Sequence, residues 1–91
     1  MTEENTAAGG VLTPPRNVGF EFALESLKAG FRWARAGWNG KGMWIELQTP
    51  DEHSKMGLPY LYMSTVDGKL VPWLASQTDL LAQDWELVPK E

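Results

Sequence analysis

Tyr60-Leu61-Tyr62-Met63-Ser64-Thr65-Val66-Asp67-Gly68-Lys69-Leu70-Val71-Pro72-Trp73-Leu74 is the stretch whose reading decides the fold. Two β-prone runs flank Asp67-Gly68, a pair favoured in the tight turns that join antiparallel strands. A two-residue type I′ turn there predicts strands over 60–66 and 69–74, pairing 66 with 69, 64 with 71 and 62 with 73. In that register Tyr62 and Trp73 stand opposite each other on one face. Pro72 then faces Met63 at a non-hydrogen-bonded position. With no N–H to offer a further neighbour, it predicts a sheet edge or a strand end.

Outward from the hairpin, residues 31–35 and 43–48 alternate as strands do. In the second run Met43, Ile45 and Leu47 face one side, and Trp44, Glu46 and Gln48 the other. The polar, proline-bounded run 50–59 reads as a loop. Further upstream, Phe20, Ala23, Leu24 and Leu27 recur at the spacing of one helical face, which predicts a helix over 20–29. Glu21 and Glu25 towards its start and Lys28 in its last turn suit the macrodipole, and Gly30 closes it. Downstream, Ser76-Gln77-Thr78-Asp79 matches a capping box and predicts a short helical turn through Leu80-Leu81-Ala82. Residues 84–88 close the chain as a strand with Trp85 and Leu87 on one face, stopped by Pro89. The sum is a small α+β domain over 18–91. It has a largely antiparallel sheet of about five strands, one N-terminal helix and a short helical turn before the last strand. Residues 1–17 are expected to form a disordered N-terminal tail.

Composition narrows the function. A chain of 91 residues is one domain at most. A domain of this size buries only about 60% of its unfolded surface, and without cysteine no disulfide or thiolate metal site can reinforce it. Oligomerisation is the support that remains. A net charge of −4 argues against a DNA or RNA duplex as partner, because duplex affinity rests on clustered Lys and Arg. It leaves room for a small anion, which needs only a few convergent donors. No stretch reaches the roughly 18 apolar residues of a membrane span and no secretory leader is evident, so a cytoplasmic protein without membrane contact is expected. Five tryptophans are more than one small core can enclose. Trp33 and Trp85, with Trp44 as a further candidate, are assigned to the core, and the others to a pocket or interface.

Catalysis has little support. The sole histidine, His53, shares a polar loop with Asp51 and Ser54, which lacks the rigid scaffold a triad needs. It also has no second histidine or cysteine to hold a metal. No catalytic residue, metal ligand or cofactor is assigned. The loop Gly37-Trp38-Asn39-Gly40-Lys41-Gly42 is the better candidate. Its glycines let backbone N–H groups approach a ligand, Arg35 and Lys41 supply charge, and Asn39 can donate and accept. Such a nest suits a phosphate or ribose. The spacing is that of neither a P-loop nor a dinucleotide fingerprint, so a plain strand–strand turn with Trp38 tucked into the core is the competing reading. Trp38, Trp73 and Tyr62 could stack on bases, or could serve only as core or subunit interface.

Two runs carry a resemblance. One extends from Phe20 through Leu27 and Gly30 to Arg35-Ala36-Gly37-Trp38-Asn39-Gly40-Lys41-Gly42-Met43. The other is Val71-Pro72-Trp73-Leu74-Ala75-Ser76-Gln77-Thr78-Asp79-Leu80-Leu81-Ala82-Gln83-Asp84-Trp85. Over residues 18–89 the chain resembles the second type of Thoeris anti-defence protein of phages. The resemblance implies a homotetrameric sponge that captures glycocyclic ADP-ribose, the immune signal of TIR-domain enzymes, in the host cytoplasm without degrading it. It also implies, for some members, binding of CBASS cyclic dinucleotides at a separate site. Family pockets lie between subunits and use the tryptophans that correspond to Trp38 and Trp73. An adenine would then stack on one of these, and the pyrophosphate would take N–H groups of 37–42 with Arg35 or Lys41. Ribose hydroxyls would meet Asn39, Ser76, Thr78 or Asp79. The ligand-binding set is accordingly Arg35, Trp38, Asn39, Gly40, Lys41, Tyr62, Trp73, Ser76, Thr78 and Asp79. A protein-interaction module and a small nucleotide-degrading enzyme are the alternatives.

Overall fold

A computed structural model describes residues 14–90. Helix α1 (Phe20–Lys28) leads into β1 (Arg32–Arg35), β2 (Trp44–Gln48), β3 (Tyr60–Ser64), β4 (Leu70–Pro72), α2 (Gln77–Leu81) and β5 (Trp85–Val88). The five strands form one sheet in the order β4-β3-β2-β1-β5, antiparallel at every pairing, so the expected α+β architecture is the one observed.

The periodicity of α1 determines where the core lies. Phe20, Ala23 and Leu27 are buried and meet Trp33, Ile45 and Trp85 on one face of the sheet. Trp33 and Trp85 are fully enclosed, as their assignment to the core requires. The helix ends with the N–H groups of Gly30 and Phe31 donating to Leu27 O and Ser26 O. Register then fixes the opposite, helix-free face. Arg32 and Ala34 of β1, Trp44 and Glu46 of β2, Tyr60 and Tyr62 of β3 and Leu70 and Pro72 of β4 alternate onto it. Trp44 is therefore not a core residue. Its ring lies under the Arg32 guanidinium (3.8 Å to the centroid) and meets Tyr62 edge-on at 5.9 Å.

The hairpin departs from the expected register by one residue. Tyr62 pairs with Pro72, Met63 with Val71 and Ser64 with Leu70. The cause is the turn. Thr65 N–H donates to Lys69 O and Gly68 N–H to Thr65 O, so Val66-Asp67-Gly68 form a three-residue loop, with Gly68 at φ 81°. This is a type I turn closed by a glycine bulge, in place of a two-residue type I′ turn. A slip of one residue moves a side chain to the other face, and Trp73 thus lies on the helix side, away from Tyr62. Pro72 faces Tyr62 rather than Met63. It does occupy a non-hydrogen-bonded position on an edge strand, between the hydrogen-bonded pairs 63–71 and 61–73, where Trp73 N–H reaches Leu61 O at 3.1 Å.

At the other edge, Val18 bridges Trp85, and Leu87 N–H donates to Pro15 O (2.9 Å). Residues 14–17 of the stretch read as a tail therefore run beside β5. The rest of it, residues 1–13, lies outside the described residues. Among the described residues, no helix is long and apolar enough to cross a membrane.

Candidate functional site

The loop between β1 and β2 is tied to the C-terminal third of the chain by one polar network. Arg35, at the end of β1, donates from Nε to Asp84 Oδ1 and from Nη1 to Asp79 Oδ1, both at 2.9 Å. Asp84 Oδ2 accepts Gly37 N–H at 2.8 Å, and Asp84 O accepts Ala36 N–H at 3.0 Å. Asp79 Oδ1 also accepts the Trp38 indole N–H at 3.3 Å. The capping box read from the sequence is formed: Ser76 Oγ accepts Asp79 N–H, and Asp79 Oδ2 accepts Ser76 N–H. The backbone carbonyl of Asp79 accepts the buried Trp85 indole N–H at 2.9 Å.

Electrostatics follow from these contacts. Arg35 is held charged, its pKa raised first by the bond to Asp84 and then by that to Asp79. Burial pushes the Asp79 carboxyl up, but bonds from Ser76 N–H, Arg35, the Ser76 hydroxyl and Trp38 outweigh it and hold the group below its ordinary value. Asp84 is lowered chiefly by Arg35, against a smaller opposing effect of burial.

Around this network, four aromatic rings cluster, the three tryptophans edge to face and Phe20 tilted against them. Trp38 lies 5.5 Å from Trp85 and 6.5 Å from Trp73, and Trp73 lies 6.0 Å from Trp85 and 5.9 Å from Phe20. Trp85 is enclosed, whereas Trp38 and Trp73 are half-buried at the rim. On the other side of Trp38 is a cleft of about 240 Å³ whose lining includes Gly40, Lys41, Gly42, Trp44 and Val88. Among the described residues, the N–H groups of Gly40, Lys41 and Gly42 have no intramolecular acceptor. A neighbouring hollow of about 380 Å³ shares Gly42, Trp44 and Val88 and adds Arg32 and Pro89. A larger apolar groove of about 570 Å³ includes Phe22, Phe31 and Trp33 in its lining and contains none of the ligand-binding residues assigned from the sequence. Its charged member, Glu25, repels an anion.

The structure thus brings together Arg35, Trp38, Ser76, Asp79 and Trp73, with Gly40 and Lys41 on the cleft side of Trp38. Asn39 and Thr78 are exposed beside them. Tyr62 is set apart on the helix-free face, where its hydroxyl donates to Glu46 Oε1 at 2.7 Å. Burial and that bond push the phenol up to about 12. The sequence reading missed two residues. Trp44 joins the cleft because it occupies the outward position of β2 directly after the loop, a placement its alternation had already indicated. Asp84 fastens Gly37 across 47 residues of chain, and no local signal marks it. Asp51, His53 and Ser54 form an exposed local turn: His53 N–H and Ser54 Oγ both donate to Asp51 Oδ1.

Comparison with known proteins places this chain in a family. Residues 18–88 match the Thoeris anti-defense 2-like domain. The chain is also 37% identical over 84 residues to Thoeris anti-defense 2 of Bacillus phage SP01, an alignment covering 78% of this chain and 94% of that protein.

Proposed function

This chain belongs to the Thoeris anti-defense 2-like family, and on that premise we propose that it is a molecular sponge. It binds glycocyclic ADP-ribose in the host cytoplasm and holds it unaltered, and the downstream effector is starved of its signal. The observation that carries this reading is the half-buried Trp38 indole, which packs against Trp73 on one side and on the other borders a cleft where the N–H groups of 40–42 have no acceptor among the described residues. Flat rings offer a face for a base, and converging N–H groups beside Lys41 offer donors for a pyrophosphate. A CBASS cyclic dinucleotide, held at a separate site, is included among the ligands.

Volume supports a shared pocket. Clefts that enclose small ligands span about 300–1,000 Å³, and the cleft beside Trp38 offers about 240 Å³. A second subunit, in a homotetramer, supplies the missing wall. Sequestration requires tight capture: a nanomolar Kd corresponds to about −12 kcal/mol.

The test is capture and release. Purified protein is mixed with glycocyclic ADP-ribose, freed of unbound ligand and denatured, and the released nucleotide is analysed. Intact signal is the expected result, and Trp38→Ala and Trp73→Ala lose capture. Release of a cleaved nucleotide would make the protein an enzyme. Absence of capture would leave a protein-interaction module, and normal capture by both variants would move the pocket elsewhere.

A further inference from the structure

We infer that Asp79 is a positioning residue, a clamp that locks the Trp38 indole to α2 and through that placement governs ligand capture. Asp79 is buried, its side chain 12% exposed, and its donors leave little of the carboxylate for a ligand. Oδ1 takes both Arg35 and the Trp38 indole N–H, and Oδ2 takes the Ser76 N–H. The same residue's carbonyl holds the Trp85 indole, against whose ring Trp38 packs at 5.5 Å. One residue therefore fixes the end of β1, the start of α2 and the orientation of two of the four rim and core aromatics. An indole free to rotate about χ1 and χ2 presents no preset stacking face. Bonding its N–H to a buried carboxylate selects one orientation before the ligand arrives, which lowers the ordering cost of binding. Asp79, assigned from the sequence to ribose, instead acts through Trp38. Arg35 supports it from the other side, with Nε and Nη1 committed to Asp84 and Asp79.

The effect on capture rests on the sponge reading, whereas the clamp itself is measurable without ligand. The five tryptophans give five indole N–H signals in a ¹⁵N-labelled sample, and the Trp38 signal is the one absent from Trp38→Phe. It is expected to exchange with solvent more slowly than those of Trp44 and Trp73, whose indole N–H groups have no protein acceptor among the described residues. In Asp79→Ala, which keeps no side-chain acceptor, it is expected to shift and lose that protection. Capture of glycocyclic ADP-ribose by Asp79→Ala is expected to weaken about tenfold in the native background and clearly less in Trp38→Phe, because the part of the loss carried by the indole N–H is absent there. Equal losses in both backgrounds, or a Trp38 signal that exchanges as fast as that of Trp44, would overturn the clamp. If the unmutated protein captures no nucleotide, the sponge reading fails, and the exchange comparison still decides the clamp. That comparison uses unmutated protein, so it stands even where Asp79→Ala does not fold.

Discussion

At the scale of single residues, the charged groups that organise the site carry the pH dependence of the fold. Asp79, Asp84 and Glu46 all have carboxyls held below their ordinary values, the first two by the Arg35 network. At Glu46 burial works in the opposite direction and is outweighed by bonds from Lys90, Tyr62 and Arg32. A lowered carboxyl pKa means that the unfolded chain binds the proton more tightly. The stability it contributes is present above the unfolded values of 3.8 for Asp and 4.5 for Glu, and is lost as pH falls through the folded ones. Tyr62 has the opposite sign. Its phenol is raised from 10.0 to about 12, so its contribution is complete below pH 10 and disappears as pH rises towards 12. Urea midpoints measured against pH should therefore be flat around neutrality and fall below about pH 4.5 and above about pH 10. In Tyr62→Phe the alkaline fall should diminish while the acid fall remains. An unchanged alkaline limb in that variant would detach Tyr62 from the stability of the sheet.

At the scale of elements, the loop 36–43 and the β3–β4 hairpin tip are held against each other by the absence of one side chain. A Cβ on Gly40 would lie 2.5 Å from Val66 Cγ2, and the residue sits at φ 104°. Gly42, at φ 80°, has open space around it. Gly42→Ala should thus cost about 1–2 kcal/mol from backbone strain alone, and Gly40→Ala more, about 2–4 kcal/mol, because a clash is added. Urea unfolding at constant m checks the order, and equal costs would mean that the loop does not rest on the hairpin. The sequence showed every element here but not how they meet. The apolar period of α1, the alternation of β2 and the Ser76–Asp79 box are local patterns and were legible. The hairpin register was not, because Asp67-Gly68 is compatible with both a two-residue turn and a three-residue turn with a bulge. That one-residue difference moved Trp73 to the face opposite Tyr62. The Arg35–Asp79 and Arg35–Asp84 pairs join residues 44 and 49 positions apart. No spacing rule reaches that far, so spacing alone offers Arg35 and Asp79 as ligand contacts although much of their bonding capacity is used within the protein, on each other, Asp84, Trp38 and Ser76.

At the scale of the whole molecule, one helix cannot cover two faces of a five-stranded sheet, and the surface that remains has a pattern. The run from Val71 to Leu81 places exposed apolar side chains in sequence around the half-buried Trp73. Leu74 is 92% exposed and Leu81 77%, and Val71 and Leu80 are exposed as well. Scattered apolar residues on a surface need no explanation, but four within eleven positions around a rim tryptophan make a candidate subunit contact. Placed there, a second copy would close over Trp73 and the Trp38 ring packed against it, and under the proposed function assembly and capture become one property. Light scattering after size exclusion should then give a mass four times the 10.2 kDa chain. Leu74→Glu and Leu81→Glu each put a charge into that contact and should shift the mass towards smaller species. Because both side chains are exposed in the single chain, the fold itself should change by about 0.5 kcal/mol or less. Glycocyclic ADP-ribose capture should fall in proportion to the tetramer lost, and added ligand should drive reassembly, since a ligand held between subunits favours the assembled state by mass action. A full tetramer in both variants would move the interface to the helix-free face around Tyr60, Tyr62 and Pro72. A fully dissociated protein that still captured the signal would show that one chain encloses it unaided.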